Sequence, residues 1–297
     1  MASWRRSQPR GRGSLRGFAA AASGLLLLLS PSSGRADDVA LWGWLPSLGI
    51  ASSFVSVGGS GQITSSVRPS ATGDEDVQFA IYGVSLGLAS PPIAPLPFAP
   101  RVAGLIGLSS GIRAGQDLAR EGAPGKLEQP VGVPGLPEAG VTGQGSNLNA
   151  GFGSYFLNGN LGMSFELELL DRRLSVTPSF EWAIYQMRLA GAVRRAFRQT
   201  TTPLANTRFV AMDALGRKVL RGIGPGLEVE LEAARFGPLV SSVAVSGQAY
   251  RLFGDRDRVF VASFSDGAGN ESATWRAKFH RWTYRGGLGV RLYWRPE

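Results

Sequence analysis

The sequence predicts an all-β protein, an eight-stranded antiparallel up-and-down transmembrane β-barrel that follows a cleaved signal peptide. The first observation is the segment 282–294, in which every second residue is apolar or aromatic and both ends are tryptophan. A period of two places these residues on one face of a β-strand. At about 3.3 Å per residue and a tilt near 45°, the two tryptophans lie about 28 Å apart in height, close to the thickness of a hydrocarbon core.

Composition is the second observation. The chain has 297 residues, of which 41 are glycine, none is cysteine and only 18% are charged. No apolar run in the mature part approaches the roughly 20 residues that a spanning helix needs. The absence of cysteine excludes disulfides, thiolate metal sites and cysteine nucleophiles. Glycine-rich alternating segments of modest hydrophobicity are typical of membrane strands rather than membrane helices.

The first 36 residues have the pattern of a signal peptide. A basic segment ending at Arg16 precedes an apolar stretch at 18–29, and Gly34 and Ala36 suit the −3 and −1 positions of a cleavage site. The segment carries six arginines and no acid, so its removal takes six units from the formal net charge of +9. Most of the net positive charge therefore lies in the predicted signal peptide, and a nucleic-acid partner is not expected.

Alternating segments predict the barrel within residues 37–297. Its eight strands are expected at about 41–54, 78–89, 101–112, 155–169, 174–187, 219–234, 239–253 and 280–294. Connections after the even-numbered strands are short, whereas four long loops are expected at about 57–76, 113–154, 191–217 and 255–278. Short periplasmic turns that alternate with long extracellular loops are the usual strand connections of bacterial outer-membrane barrels.

The chain resembles the small eight-stranded outer-membrane barrels of the OmpA-like class. The resemblance rests on the pattern Leu288-x-Val290-x-Leu292-x-Trp294 and on the glycine-alternating strands, and it extends as a pattern over residues 41–295. It implies a protein of the outer membrane of a Gram-negative-type bacterium, exported through the periplasm. It also implies the barrel-assembly machinery and the outer-membrane lipid as partners.

Acidic residues alternate with apolar ones, and the barrel interpretation places them in the lumen. The expected interior charge network comprises Glu166, Glu168, Glu181, Glu228, Glu230, Glu232, Arg285 and Arg291. An eight-stranded barrel is just wide enough for side chains to fill, and buried charges must be paired. A polar plug of Glu–Arg pairs and water is expected; the alternative is a narrow cation-favouring pore, because six acids face two bases.

Two sets of side chains are expected on the lipid-facing surface. An aromatic girdle, with its amphipathic rings at the membrane interfaces, comprises Trp42, Trp44, Trp182, Trp282, Tyr284 and Trp294. Cations at the outer strand ends comprise Arg188, Arg221, Arg251 and Lys278. Guanidinium groups pair well with phosphate, so these cations are expected to contact lipopolysaccharide; the alternative is simple solvation of the strand ends.

The sequence predicts no enzymatic activity. A serine–histidine hydrolase needs a partner serine and an orienting acid, and no serine follows the one histidine, His280, at the spacing of the barrel deacylases. His280 is expected at the interface, and no cofactor or metal is expected. The predicted role is structural or surface-interaction, with specificity in the outer loops for an unknown ligand. Two alternatives stay open: a narrow porin-like channel for small solutes or ions, and a soluble periplasmic β-barrel binding protein.

Overall fold

One antiparallel sheet closes on itself to form the fold. The computed structural model describes residues 43–93, 96, 98, 100–112, 115–122, 144–169, 172–197 and 208–295, so the predicted signal peptide lies outside the described residues. Every regular element in these ranges is a β-strand: β1 Leu45–Ser65, β2 Ala71–Ala89, β3 Arg101–Gly111, β4 Gly115–Gly122, β5 Gly145–Leu169, β6 Arg172–Phe197, β7 Arg208–Phe236, β8 Leu239–Phe253, β9 Asp257–Asp266 and β10 Gly269–Trp294. None of the described residues belongs to a helix long and apolar enough to cross a membrane.

Eight of the strands form a closed ring. Their order is β1-β2-β3-β5-β6-β7-β8-β10, each is antiparallel to its neighbours, and β10 pairs back with β1. Ring neighbours follow one another along the chain, so the predicted eight-stranded antiparallel up-and-down barrel is confirmed. The two remaining strands are additions at one end, where β4 pairs with β5 and β9 pairs with β10.

The strands are much longer than the sequence predicts. β6 has 26 residues and β7 has 29, whereas about 9–11 residues cross a bilayer. Over the residues that the structure describes, the four predicted long loops are wrong: 57–76 is largely the β1–β2 hairpin, 113–154 contains β4, and the other two contain strand ends and β9. Residues 123–143 and 198–207 of these segments lie outside the described residues. Serine, glycine and threonine in these segments suggest loops, but Val57, Ile63 and Val77 alternate with them and point into the protein, where they are fully buried.

The ring strands divide into two halves with opposite character. The barrel half comprises residues 45–54, 80–89, 101–111, 157–169, 172–186, 221–236, 239–253 and 282–294. The cap comprises residues 55–65, 71–79, 115–122, 145–156, 187–197, 208–220, 257–266 and 269–281. The predicted short turns, after β2, β5 and β7, all lie at the barrel-half end.

The barrel half is apolar outside and polar inside. Its outward side chains include Ile50, Phe54, Leu86, Ile106, Leu161, Phe180, Val245 and Leu288, with 51–74% of each exposed. Glu181, Glu230 and Ser242 are buried in the interior. The sequence leaves the choice of faces open, and the structure places the glutamates inside. Leu167 and Leu231, which a soluble barrel would bury, are 41% and 39% exposed.

The cap is a pair of facing layers with an apolar core. One layer is β4-β5-β6-β7 and the other is β2-β1-β10-β9. Trp275 of the second layer is fully buried and donates a hydrogen bond from Nε1 to the carbonyl oxygen of Asn147 in the first layer, at 3.0 Å. Its ring covers Gly191 so closely that a Cβ there would lie 2.5 Å from the ring. A small residue at 191 therefore sets the spacing of the layers.

The edges of the two layers meet along two seams. At the β2–β4 seam, Gln116 Oε1 accepts a hydrogen bond from the Gln78 backbone N–H at 2.8 Å. At the β7–β9 seam, Lys218 Nζ donates to the Asp257 carbonyl oxygen at 2.7 Å. Exposed polar residues cover most of the outer surface of the cap; Leu215, Val259 and Val261 are exposed apolar exceptions beside the second seam. Bare strand edges invite pairing with other chains, and the seams cover them.

Candidate functional site

The lumen of the barrel half opens at the turn end through a cluster of two arginines and one glutamate. Arg101 Nε donates to Glu166 Oε1 at 2.9 Å, and Arg173 pairs with the same carboxylate. Arg101 Nη1 also donates to the Ser90 carbonyl oxygen at 2.8 Å, which fixes the β2–β3 connector. Neither arginine was predicted for the interior: Arg101 begins β3, and Arg173 is the second residue of β6, at a position where the sequence predicted a turn. Arg101 does share inward parity with Ala103 and Gly107, and that was the available signal.

Arg291 is the centre of the next layer of charged side chains in the lumen. Its guanidinium donates to both carboxylate oxygens of Glu228, at 2.7 and 2.8 Å, and to Glu230 Oε2 at 2.8 Å. Glu230 also accepts hydrogen bonds from Tyr293 Oη at 2.7 Å and from Ser242 Oγ. The bidentate geometry makes this the strongest kind of ion pair that a protein offers. Three of the charges that the sequence placed in the lumen therefore form one hydrogen-bonded unit.

Glu181 and Arg285 form the top of the polar lumen. Glu181 is 2% exposed and accepts hydrogen bonds from Ser179 Oγ at 2.8 Å and from Asn160 Nδ2 at 3.3 Å. The Arg285 guanidinium lies under the Phe156 ring, 5.3 Å from its centroid. A cation against an aromatic face is a favourable contact. Arg285 thus marks the change from polar to apolar interior.

An aromatic layer closes the lumen above Arg285. The rings of Phe156 and Tyr185 stack at 5.1 Å, and Tyr250 meets Phe156 edge-on at 6.3 Å. All three are fully buried, and Tyr185 Oη is hydrogen-bonded to Thr283 Oγ1 at 2.8 Å. The apolar core of the cap continues beyond them. All three residues lie within predicted strands, but only charged residues were assigned to the interior from sequence, so this closure was not predicted.

Two predicted members of the interior network lie at its rim. Glu168 is exposed at the turn end of β5. Glu232 pairs with Arg235 at 3.2 Å, and the Arg235 side chain is 56% exposed. The lumen therefore contains fewer unpaired acids than the sequence suggests, because Arg101 and Arg173 join it and these two glutamates stand at its edge.

The predicted girdle residues lie on the outer surface of the barrel half. Trp44, Trp282 and Trp294 are 41%, 43% and 43% exposed, and Tyr284 is 57% exposed. Trp182 lies over Gly159, where a Cβ would come within 2.6 Å of its ring. Trp42 lies outside the described residues. Strand register places Trp182, Ile223, Arg251 and Trp282 in one row across β6, β7, β8 and β10.

The predicted outer cations divide into two groups. Arg188, Arg221 and Arg251 lie on the outer surface of β6, β7 and β8, together with Arg217, which the sequence analysis had assigned to a loop. Lys278 lies apart, beside a shallow depression of the cap that Ser60, Thr72 and Asp74 also line. The four arginines are called the arginine surface below.

His280 pairs with an acid that the sequence analysis had placed in a loop. Its Nε2 lies 3.3 Å from Asp74 Oδ2 on the outer surface of the cap, and both side chains are exposed. A hydrogen-bonded pair of this kind orients the imidazole. Among the described residues, no group of three or more histidine and acidic side chains is arranged to hold a metal ion.

Comparison with known proteins finds likeness only among solved structures. No protein-family model and no curated protein matches the chain. The outer membrane protease OmpT of Escherichia coli matches 84% of this chain over 97% of its own length, with 10% identity and a TM-score of 0.31. The secretin InvG of the Salmonella SPI-1 type III secretion injectisome matches 94% of this chain over 70% of its own, with 9% identity and a TM-score of 0.17. At these scores neither likeness carries an argument, and the barrel rests on its own strand pairing.

The prediction that the chain has no enzymatic activity is contradicted. The finding that stands against it is that a solved structure matching 84% of the chain is a protease. The same likeness assigns no protease activity to this chain.

Proposed function

We propose that the chain is an integral outer-membrane β-barrel with a closed lumen, which holds its cap outside the membrane as a surface for interaction. The observation that carries the proposal is the band of exposed apolar side chains around the barrel half. Exposed apolar area of this extent is costly in water, and it stops where the cap begins: on β1, outward Ile50 and Phe54 give way to Ser60 and Gln62.

The aromatic residues support the same position of the membrane. Trp282 and Trp294 flank the apolar face of β10, and Trp44 lies at the turn end beside β1. Tryptophan at both ends of an apolar band is typical of membrane interfaces. The short turns would then lie in the periplasm, and the signal peptide and barrel-assembly machinery expected from the sequence would provide export and insertion.

A closed lumen favours the interaction role over the porin-like channel. Ion pairs fill the lower lumen, and Phe156, Tyr185 and Tyr250 close it above. A water-filled path for ions needs polar surface along its whole length, and the interior of the cap is apolar. The proposed interaction surface is the folded cap itself, in place of the four outer loops expected from the sequence.

A charge placed on the apolar band distinguishes a membrane barrel from a soluble one. Leu288 lies midway between Trp282 and Trp294 and is 62% exposed. In lipid, Leu288→Arg is expected to lower the free energy of unfolding by about 2–4 kcal/mol, the cost of an arginine near the bilayer midplane. In water, an exposed leucine tolerates the change within about 0.5 kcal/mol.

The experiment compares Leu288→Arg with Gln62→Arg, which adds the same charge to the exposed outer surface of the cap. Both variants and the parent are recovered from outer-membrane and periplasmic fractions, tested for a heat-dependent shift in gel mobility and unfolded in urea. Membrane recovery with a loss confined to Leu288→Arg supports the proposal. Recovery of the parent in the periplasm, with both variants equally stable, refutes it.

A further inference from the structure

We propose that the arginine surface binds an outer-leaflet glycolipid that carries two phosphates, and that it does so on one side of the barrel only. The surface comprises Arg188, Arg217, Arg221 and Arg251, all of them outward-facing and exposed. This inference rests on the proposed membrane-spanning function, and it names the lipid class that the barrel holds.

Strand register arranges the four arginines as two pairs. Arg188 and Arg217 are direct partners across β6 and β7, so their Cβ atoms lie about 5 Å apart. Arg221 pairs with Phe253 and Ile223 pairs with Arg251, which makes Arg221 and Arg251 diagonal neighbours at about 7–8 Å. Arg217 and Arg221 share one face of β7, four residues or about 13 Å apart. Each pair of guanidinium groups suits one phosphate.

The arginine surface lacks internal counter-charge. Within the described part of the chain, no ion pair joins any of its four arginines to an acid. The acids nearest along the strands are already engaged: Asp213 binds Arg194 through both oxygens at 2.7 and 2.8 Å, and Asp255 binds Lys218. The Lys218 ammonium holds the pKa of the Asp255 carboxyl below its ordinary value. Like charges directly opposite on a sheet are destabilising, so Arg188 and Arg217 favour an external anion between them.

The depth of the arginine surface selects a lipid phosphate over a soluble anion. Arg251 stands in the same register row as Trp182 and Trp282, and Arg221 lies two residue pairs above that row. Below the row the outer surface is apolar, with Phe180 57% and Leu227 48% exposed. A phosphorylated glycolipid would place its phosphates on the arginines and its acyl chains on this apolar surface. Inorganic phosphate would gain only the first of these contacts.

Among the described residues, the opposite side of the molecule offers no such site. On β2, Asp74, Glu75 and Asp76 are all exposed, and Lys278 lies beside Asp74. Acidic side chains at that place repel phosphate. The sequence predicts lipopolysaccharide contacts at Arg188, Arg221, Arg251 and Lys278, whereas the proposed phosphate site omits Lys278, includes Arg217 and lies on β6, β7 and β8.

The test measures lipid bound to the inserted full-length barrel. Parent, Arg188→Gln/Arg217→Gln and Arg221→Gln/Arg251→Gln are compared with the control Arg258→Gln/Lys278→Gln, which removes the same charge from exposed positions of β9 and β10. Each is inserted into phosphatidylcholine vesicles containing a bisphosphorylated, a monophosphorylated or a phosphate-free glycolipid. Heat-dependent gel mobility reports insertion, and native mass spectrometry reports bound glycolipid.

Each arginine pair removed is expected to weaken binding of the bisphosphorylated glycolipid on the order of tenfold or more, the equivalent of lost charge-assisted hydrogen bonds. The control should bind as the parent does, and either double variant should lose the preference for two phosphates over one. Inserted variants that bind as the parent does would overturn the inference while leaving the membrane function intact. If inorganic phosphate at equal concentration displaced the glycolipid, the inference that the ligand is a lipid rather than a soluble anion would be overturned. A parent chain that fails to insert would overturn the proposed function and this inference together.

Discussion

Arg291 stabilises the lumen because one guanidinium is hydrogen-bonded to two carboxylates. Its side chain is 13% exposed, and those of Glu228 and Glu230 are 16% and 8% exposed. Arg291→Met would leave both carboxylates buried without a cation. Removing one partner of a buried ion pair costs about 3–5 kcal/mol, and water at the open mouth places this site toward the lower value. Urea unfolding of the barrel in vesicles measures the loss.

Two further variants assign that loss to uncompensated charge. The triple change Arg291→Met, Glu228→Gln and Glu230→Gln should recover most of the stability, because it removes the acids with the cation. Arg276→Met, which breaks an exposed pair with Asp257 at 2.8 Å, should cost less than about 1 kcal/mol. If Arg291→Met is as mild as Arg276→Met, solvation of the lumen acids by water, rather than their ion pairs with Arg291, accounts for their stability.

At the scale of elements, β4 packs in the cap against glycines of β1 and β2, because a larger residue at those positions would leave no room for it. A Cβ on Gly73 would lie 2.3 Å from the Leu118 carbonyl oxygen, and one on Gly61 would lie 2.9 Å from the Ala119 Cβ. Leu118 is fully buried against these glycines. The contact at Gly73 is with backbone, which has no rotamer to give way.

Gly73→Val is therefore expected to open the β2–β4 seam. Overpacking should lower the free energy of unfolding by about 1–3 kcal/mol, and limited proteolysis should cleave the cap faster than in the parent. Gly247→Val is the matched control, because a Cβ there meets nothing within 4 Å. Equal cleavage rates for the two variants would show that β4 is not anchored through this contact.

The elements of the barrel half could be predicted from sequence because their two faces differ sharply. Outward Phe180 beside inward Glu181 is a contrast that a period of two reveals directly. The cap hides the same period, because its outward residues are serine, glycine and threonine, which also mark turns. β4 depends on Gly61 and Gly73, far away in sequence, so no local pattern predicts it. The interior acids followed from parity. Arg101 and the three rings of the aromatic layer carry the same inward parity within predicted strands, whereas Arg173 stands where a turn was predicted; their contacts with one another required the closed ring that only the structure supplies.

At the scale of the whole molecule, the interior is divided into a polar compartment and an apolar one. The polar compartment runs from the mouth at Arg101 to Arg285, and the apolar compartment runs from Phe156 into the cap. The sequence predicts the polar plug as the barrier to ions. The structure adds a second barrier above it, the aromatic layer. A variant that lacks only the ion pairs distinguishes the two barriers by its conductance.

The parent chain is expected to show no stepwise conductance in planar bilayers, and the triple variant Arg291→Met, Glu228→Gln, Glu230→Gln is expected to stay equally silent. Its ion pairs are gone, but the rings of Phe156, Tyr185 and Tyr250 still close the lumen, and an apolar constriction excludes ions by dewetting. Heat-dependent gel mobility of the same samples confirms that both barrels are inserted. Conductance by the triple variant alone would make the ion pairs the barrier, and conductance by the parent would restore the narrow channel as the function of the lumen.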